Sequence, residues 1–154
     1  MGSRRELVQM TSDEVSDFLD SHWLMVLGTQ GPHNWPHLVT MGYGRLKGEV
    51  AIQSYPSAQK IVNIRRDPRV TYLVEEGESY GEIRGVMVRG IATIIDDSHA
   101  AEAVAEDIKR RRDSSLPQES MVSDLKTMTA KRVAVVIDAI EMVSWDHRKL
   151  DGAY

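Results

Sequence analysis

The period of apolar positions changes several times along the chain, and each change marks an element. The polar stretch 11–14 (TSDE) precedes Val15, Phe18 and Leu19, the spacing of one helix face. Either Thr11 or Ser12 suits an N-cap and the acids suit the positive helix end, so a helix is predicted from here to about His22. Residues 23–29 (WLMVLGT) are an apolar run of strand length. Residues 30–34 contain Gly31-Pro32 and predict a turn in which Asn34 can take a positive φ. Residues 35–43 read as the returning strand of a hairpin, 44–48 as a second turn and 49–54 as a third strand.

Residues 57–66 then turn helical. Ala58, Ile61, Val62 and Ile64 are the apolar positions, Ser57 is the predicted cap, and Pro68 stops the helix. Residues 69–75 alternate as a strand and 76–78 turn. Residues 82–95 are rich in Val and Ile, and Gly85 and Gly90 inside them predict bulges or a barrel corner. A helix is predicted at 99–112, with Ala101, Val104, Ala105 and Ile108 on one face. A loop at 114–118 and a helical stretch at 118–128 follow. The final strand is predicted at 132–143, with a bulge around Asp138, before a polar and aromatic end at 144–150. The pattern predicts a mainly β (α+β) fold: a six-stranded antiparallel barrel in meander order with peripheral helices, a single domain over 1–154.

Composition narrows the chemistry. The 154 residues include no cysteine, which removes disulfides, Cys-ligated metals and a thiol nucleophile. The longest apolar run falls far short of a membrane span, and the first residues (MGSRRE) lack the apolar stretch of a secretory signal. A cytoplasmic protein with no membrane partner is expected. A net charge of −4 argues against a nucleic-acid binder. The basic run at Lys109 to Arg112 reads as a solvated helix face, with no aromatic residue interleaved. His22, His33, His37, His99 and His147 show no metal-ligand spacing, and no nucleophile or nucleotide-loop motif occurs. Any hard chemistry would then belong to a bound cofactor.

The segment QSYPSAQKIVNIRRDPR, residues 53–69, carries the most chemical information. A strand end feeds a helix start that bears a hydroxyl, and Lys60 lies one turn on. That arrangement suits a phosphate, with Ser57 and Lys60 as donor and charge and Arg65 and Arg66 available for further anionic groups. A capped surface helix with scattered basic residues is the plainer alternative.

SAQKIVNIRRDPRV resembles the helix-and-strand signature of the flavin split-barrel family, the pyridoxamine 5'-phosphate oxidase-like proteins. GTQGPHNWPHLVTMGYG resembles that family's first two strands, and EGESYGEIRGVMVRGIATI its fourth-to-fifth strand segment. VSWDHRKL resembles the C-terminal motif of its flavin/deazaflavin oxidoreductase branch, whose actinobacterial members use the deazaflavin coenzyme F420. The likeness covers nearly the whole chain in order. It implies an FMN-binding type of split barrel and a homodimer with cofactor at the interface. The ring would contact His37, Val39, Thr40 and Met41. Gln53, Ser54 and Tyr55 would line the third strand. Ser57, Gln59 and Lys60 would hold phosphate or ring oxygens, and Asn63, Arg65 and Arg66 would face the anionic tail. Trp145 and Lys149 would reach a site from the C-terminal motif, that of the partner included. Val39 and Met41 also fit a plain core role, and Asn63 a cap or turn.

Two departures shape the functional expectation. The second strand lacks the Arg and Lys by which pyridoxamine-phosphate oxidases hold the FMN phosphate, and the substrate motif of those oxidases is absent, so vitamin B6 oxidation is disfavoured. The hairpin turn carries Trp35 where the family is small, read as loop packing in preference to a wall of the site. The expected activity is hydride transfer from reduced coenzyme F420 to a small organic acceptor. An FMN-dependent oxidoreductase of the same fold and a non-catalytic flavin or F420 binder are the alternatives.

Overall fold

The structure is a computed structural model in which residues 3–113 and 118–152 are described. The predicted loop at 114–118 lies outside them except for its last position. Seven strands form one antiparallel sheet: β1 (Leu24–Gln30), β2 (Pro36–Gly42), β3 (Gly44–Leu46), β4 (Glu49–Ser54), β5 (Arg69–Glu76), β6 (Arg84–Ile95) and β7 (Val133–Asp146). Their spatial order is β2-β1-β5-β6-β7-β4-β3. The two strands at the sheet's ends, β2 and β3, are consecutive in the chain and separated only by Tyr43. The sheet therefore curls until its two edges meet at one residue, which removes most of the exposed edge. This is the expected split barrel with one more, short strand, but not in the expected meander order, because β1 pairs with β5 and β4 with β7. The predicted turn at 44–48 shrinks to Lys47-Gly48, both at positive φ (53° and 82°), and Gly44 to Leu46 pair with β4 instead.

Tyr43 holds that corner. Its ring is fully buried and its hydroxyl donates to the carbonyl of Leu19 at 2.5 Å. Leu19 belongs to α2 (Ser12–Asp20), which plugs one end of the barrel with Val15, Phe18 and Leu19. Thr11 is its N-cap, in a reciprocal bond with Glu14. A short α1 (Arg4–Leu7), capped the same way by Ser3 and Glu6, precedes it and was not legible in the apolar pattern because it buries nothing.

The core takes one face of every long strand: Met25 and Leu27 of β1, Val50 and Ile52 of β4, Val70, Tyr72 and Val74 of β5, Val86 and Val88 of β6, and Val133, Val135 and Ile137 of β7. Burying each such side chain stabilises the fold by roughly 1.5–3 kcal/mol. The predicted bulge lies at Arg89/Gly90 of β6. Across from it β7 pairs Glu141 and then Ala139, so Ile140, two residues beyond Asp138, is the extra residue. A Cβ on Gly90 would approach the carbonyl of Asp138 to 2.6 Å, so the close crossing needs glycine.

Helices occupy two connections. α3 (Gln59–Arg66) links β4 to β5 and buries Ile61 and Ile64. Its N-cap is Ala58, not Ser57, and no side chain caps it. α4 (Ser98–Arg112) and α5 (Gln118–Thr129) form the connection from β6 to β7. α4 packs on the outer face of β3 and β4, where Ala51, Val104 and Ala134 make a second apolar cluster. β4 is thus covered on both faces, and a helix wall stands beside its C-terminal end.

Candidate functional site

At that end of β4 the chain encloses a cavity of about 560 Å³. Its floor is Gln53, Ser54 and Tyr55 with Met41 and Gly42 of β2. Lys60 projects from the first turn of α3. α4 contributes Ala105, Ile108, Lys109 and Arg112; α5 contributes Asp124, Leu125 and Met128; Trp23 and Arg132 complete the wall. The volume is that of an ordinary small-molecule site, and its lining mixes apolar and charged side chains.

The charges are unbalanced. Among the described residues, Lys60, Lys109, Arg112 and Arg132 face the cavity and Asp124 is the one carboxylate. Arg132 enters from the turn before β7. Its Nη1 donates to Gln53 Oε1 at 2.8 Å, and its guanidinium lies over the Tyr55 ring, 4.4 Å from the centroid. Its Nε is buried and has no hydrogen-bond partner. Burial, and then the charge of Arg132, hold the Lys60 amine below its ordinary value of 10.5. Two cations close enough to disfavour each other, with an unused donor between floor and wall, make a good receptor for a phosphate or carboxylate.

The expected site residues divide into three groups. Met41, Gln53, Ser54, Tyr55 and Lys60 line this cavity. A second group, His37, Val39 and Thr40, lies on β2 outside it. The register pairs Met25 with Met41, Leu27 with Val39 and Thr29 with His37, so His37, Val39 and Met41 point inward and Thr40 points to the outer face. Val39 and Met41 pack against the core. His37 keeps a buried Nδ1 without a partner.

The third group is engaged elsewhere. Ser57 is exposed and caps nothing. Asn63 is fully buried, donates to Thr29 Oγ1 at 3.0 Å and accepts from Gln59 Nε2 at 2.8 Å. Arg65 bonds Asp96, and Arg66 donates to the Gln30 carbonyl. Trp145 packs flat against Gly85, where a Cβ would collide with the indole. Lys149 donates to the Gln9 carbonyl and to Glu14. Trp145 is thirteen residues up β7 from Arg132, some 40 Å of extended strand, so the two reach different ends of one protomer. Trp35 is 76% exposed, which overturns the expectation of loop packing.

Sequence reasoning missed Arg132, Trp23 and the α4–α5 wall. Arg132 sits alone before a Val-rich strand and carries no motif. Both helices of the wall were predicted, with Ala105 and Ile108 on an apolar face, but the base run 109–112 reads as a solvated face until the helix phase is known.

No helix among the described residues is long and apolar enough to cross a membrane. No curated protein matches the sequence. Among solved structures, the conserved hypothetical protein Rv2991 from Mycobacterium tuberculosis is 37% identical, with a TM-score of 0.87 over 97% of this chain and 93% of that one. A protein described as F420 reductase (23% identity, TM-score 0.63, 82% of this chain and 94% of that one) shares the fold. So does an FAD-binding protein from Mesorhizobium loti (18%, 0.66, 88% and 94%). The family model described as pyridoxamine 5'-phosphate oxidase matches residues 11–145, so the chain belongs to the pyridoxamine 5'-phosphate oxidase-like split-barrel family.

Proposed function

We propose that this protein is an oxidoreductase that binds an anionic flavin or deazaflavin coenzyme in the cavity beside β4 and uses it to reduce a small organic acceptor. The observation that carries this reading is the convergence of Arg132 and Lys60 without a carboxylate partner among the described residues, Arg132 keeping a buried, unused Nε. Coenzyme F420 is the preferred ligand and FMN the alternative. The VSWDHRKL ending and the excess of positive charge in the cavity favour the more anionic of the two. Bound there in reduced form, F420 would supply a hydride from its C5.

The protein's share is binding, orientation and exclusion of water. Lys60 and Arg132 hold the phosphate, Ser54 offers a hydroxyl beside them, and the Tyr55 ring fixes the guanidinium. Met41, Ile108 and Leu125 supply an apolar surface for a planar ring. The family resemblance supports a cytoplasmic homodimer with the cofactor at the interface. Leu38 and Ile140, 67% and 70% exposed, share one groove on the sheet's outer face and suit a second copy of the chain. Trp145 and Lys149 would then serve the partner's site.

A second reading, a cofactor-binding protein without turnover, has one observation in its favour. Among the described residues no histidine lines the cavity, and Asp124 is the one carboxylate there to move a proton. Purified protein mixed with reduced F420 and a panel of activated alkenes and quinones separates the two. Tight binding without oxidation of the coenzyme supports the second reading, and acceptor-dependent loss of the reduced form supports the first.

A further inference from the structure

Helix α4 ends in four consecutive bases, and the fold treats them in two ways. Arg110 and Arg111 each pair with Asp107, at 3.4 and 2.8 Å. Lys109 and Arg112, three residues apart on the other side of the helix, line the cavity with Ile108 and have no carboxylate partner among the described residues. The guanidinium of Arg112 lies 6.0 Å from the centre of the Trp23 ring. Lys60 and Arg132 belong to the β4 side of the same cavity, Lys109 and Arg112 to the helical wall. Arg65 and Arg66, the bases expected to meet an anionic tail, are committed to Asp96 and to the Gln30 carbonyl.

We propose that Lys109 and Arg112 form a second anion subsite of this cavity, which takes a carboxylate or phosphate set apart from the phosphate held by Lys60 and Arg132. The inference rests on the coenzyme-binding reading above and deepens it. The ligand carries two separated anionic groups, and the α4 wall selects for the second one. A ring with a single phosphate satisfies only half of the receptor.

The test is a titration of the full chain, read by ring and tryptophan fluorescence, with FMN and with F420 bearing its polycarboxylate tail. The Lys109→Ala/Arg112→Ala variant should lose about tenfold or more in affinity for F420 and under about twofold for FMN. Its dependence on salt should fall at the same time. Arg65→Ala/Arg66→Ala should leave the F420 affinity unchanged. Equal losses for both ligands, no loss for either, or a loss carried by Arg65 and Arg66 would overturn the subsite. If the unaltered protein binds neither ring, the coenzyme reading fails and inorganic pyrophosphate decides the subsite alone. Quenching of tryptophan by pyrophosphate that disappears in Lys109→Ala/Arg112→Ala sustains it, and absence of such quenching overturns it. Melting curves of the variants confirm that the fold is intact.

Discussion

The Arg132 guanidinium stacks on the Tyr55 ring at 4.4 Å while its Nη1 is tied to Gln53. Two residues at the end of β4, Gln53 and Tyr55, thus fix the cation that precedes neighbouring β7 before any ligand arrives. The stack and the Gln53 bond use part of its donor fork, and Nε is left over. A preorganised donor loses little entropy when an anion binds, which is how a small site reaches high affinity.

Arg132→Ala should therefore weaken coenzyme binding by about ten- to a hundredfold while leaving the melting temperature of the free protein unchanged or slightly higher. The substitution removes a buried unsatisfied donor and a like charge beside Lys60. Arg132→Lys keeps the charge but loses the fork and the stack, so its affinity should fall between the two. Isothermal titration and thermal melts on the three proteins measure this.

The depressed Lys60 predicts an alkaline limit on binding. Burial and the Arg132 charge favour the neutral amine, so the free protein loses this proton below the ordinary value of 10.5. An anion binds the protonated form, so affinity should be full near neutrality and fall as pH rises, the decline beginning below 10.5. Lys60→Arg should move the decline upward and Arg132→Ala should move it part of the way. Dissociation constants measured between pH 7 and 11 test this, and a profile flat to 10.5 in the unaltered protein would count against the assignment.

Arg111 predicts a stability effect separate from function. Its side chain is 11% exposed and donates to Asp107 and to the carbonyls of Leu19 and His22, which closes the C-terminal end of α2. Asp107 also accepts from the backbone N–H of Arg45 at 2.7 Å. Arg111→Ala strands these acceptors and should cost about 2–4 kcal/mol. Denaturant unfolding should show the loss, with the coenzyme affinity of the folded fraction unchanged.

The exposed pair Leu38 and Ile140 bears on assembly. Leu38→Glu or Ile140→Glu places a charge in the outer groove and should shift a dimer toward monomer at micromolar concentration, with little change in monomer folding. Light scattering coupled to size exclusion reads the outcome, and a monomeric unaltered protein would contradict the proposed assembly.

Much of the fold was legible because the strands obey simple alternation. β1, β2 and β5 fall within a residue or two of their predicted positions, since each alternates inward and outward side chains between recognisable turns, and β4, buried on both faces, falls on its predicted residues as a short apolar run. Barrel closure at Tyr43 was not legible, because a strand that bends and changes partner looks the same in sequence as one that ends. Ser57 was predicted as a cap from its residue type, yet the chain turns one residue later and Ala58 takes the position. Within the site, the floor could be read because Gln53, Ser54, Tyr55 and Lys60 are contiguous. Arg132 could not, because it lies 72 residues from Lys60 and only the pairing of β4 with β7 brings them together. Asn63, Arg65 and Arg66 looked available because sequence shows charge and polarity but not the partners that satisfy them.

The most direct measurement is a fluorescence titration of the purified protein with F420 and with FMN, repeated on Lys60→Ala and Arg132→Ala. The account predicts saturable binding, tighter for F420, that both substitutions weaken by about tenfold or more. Binding that neither substitution alters, or no binding of either coenzyme, would contradict it.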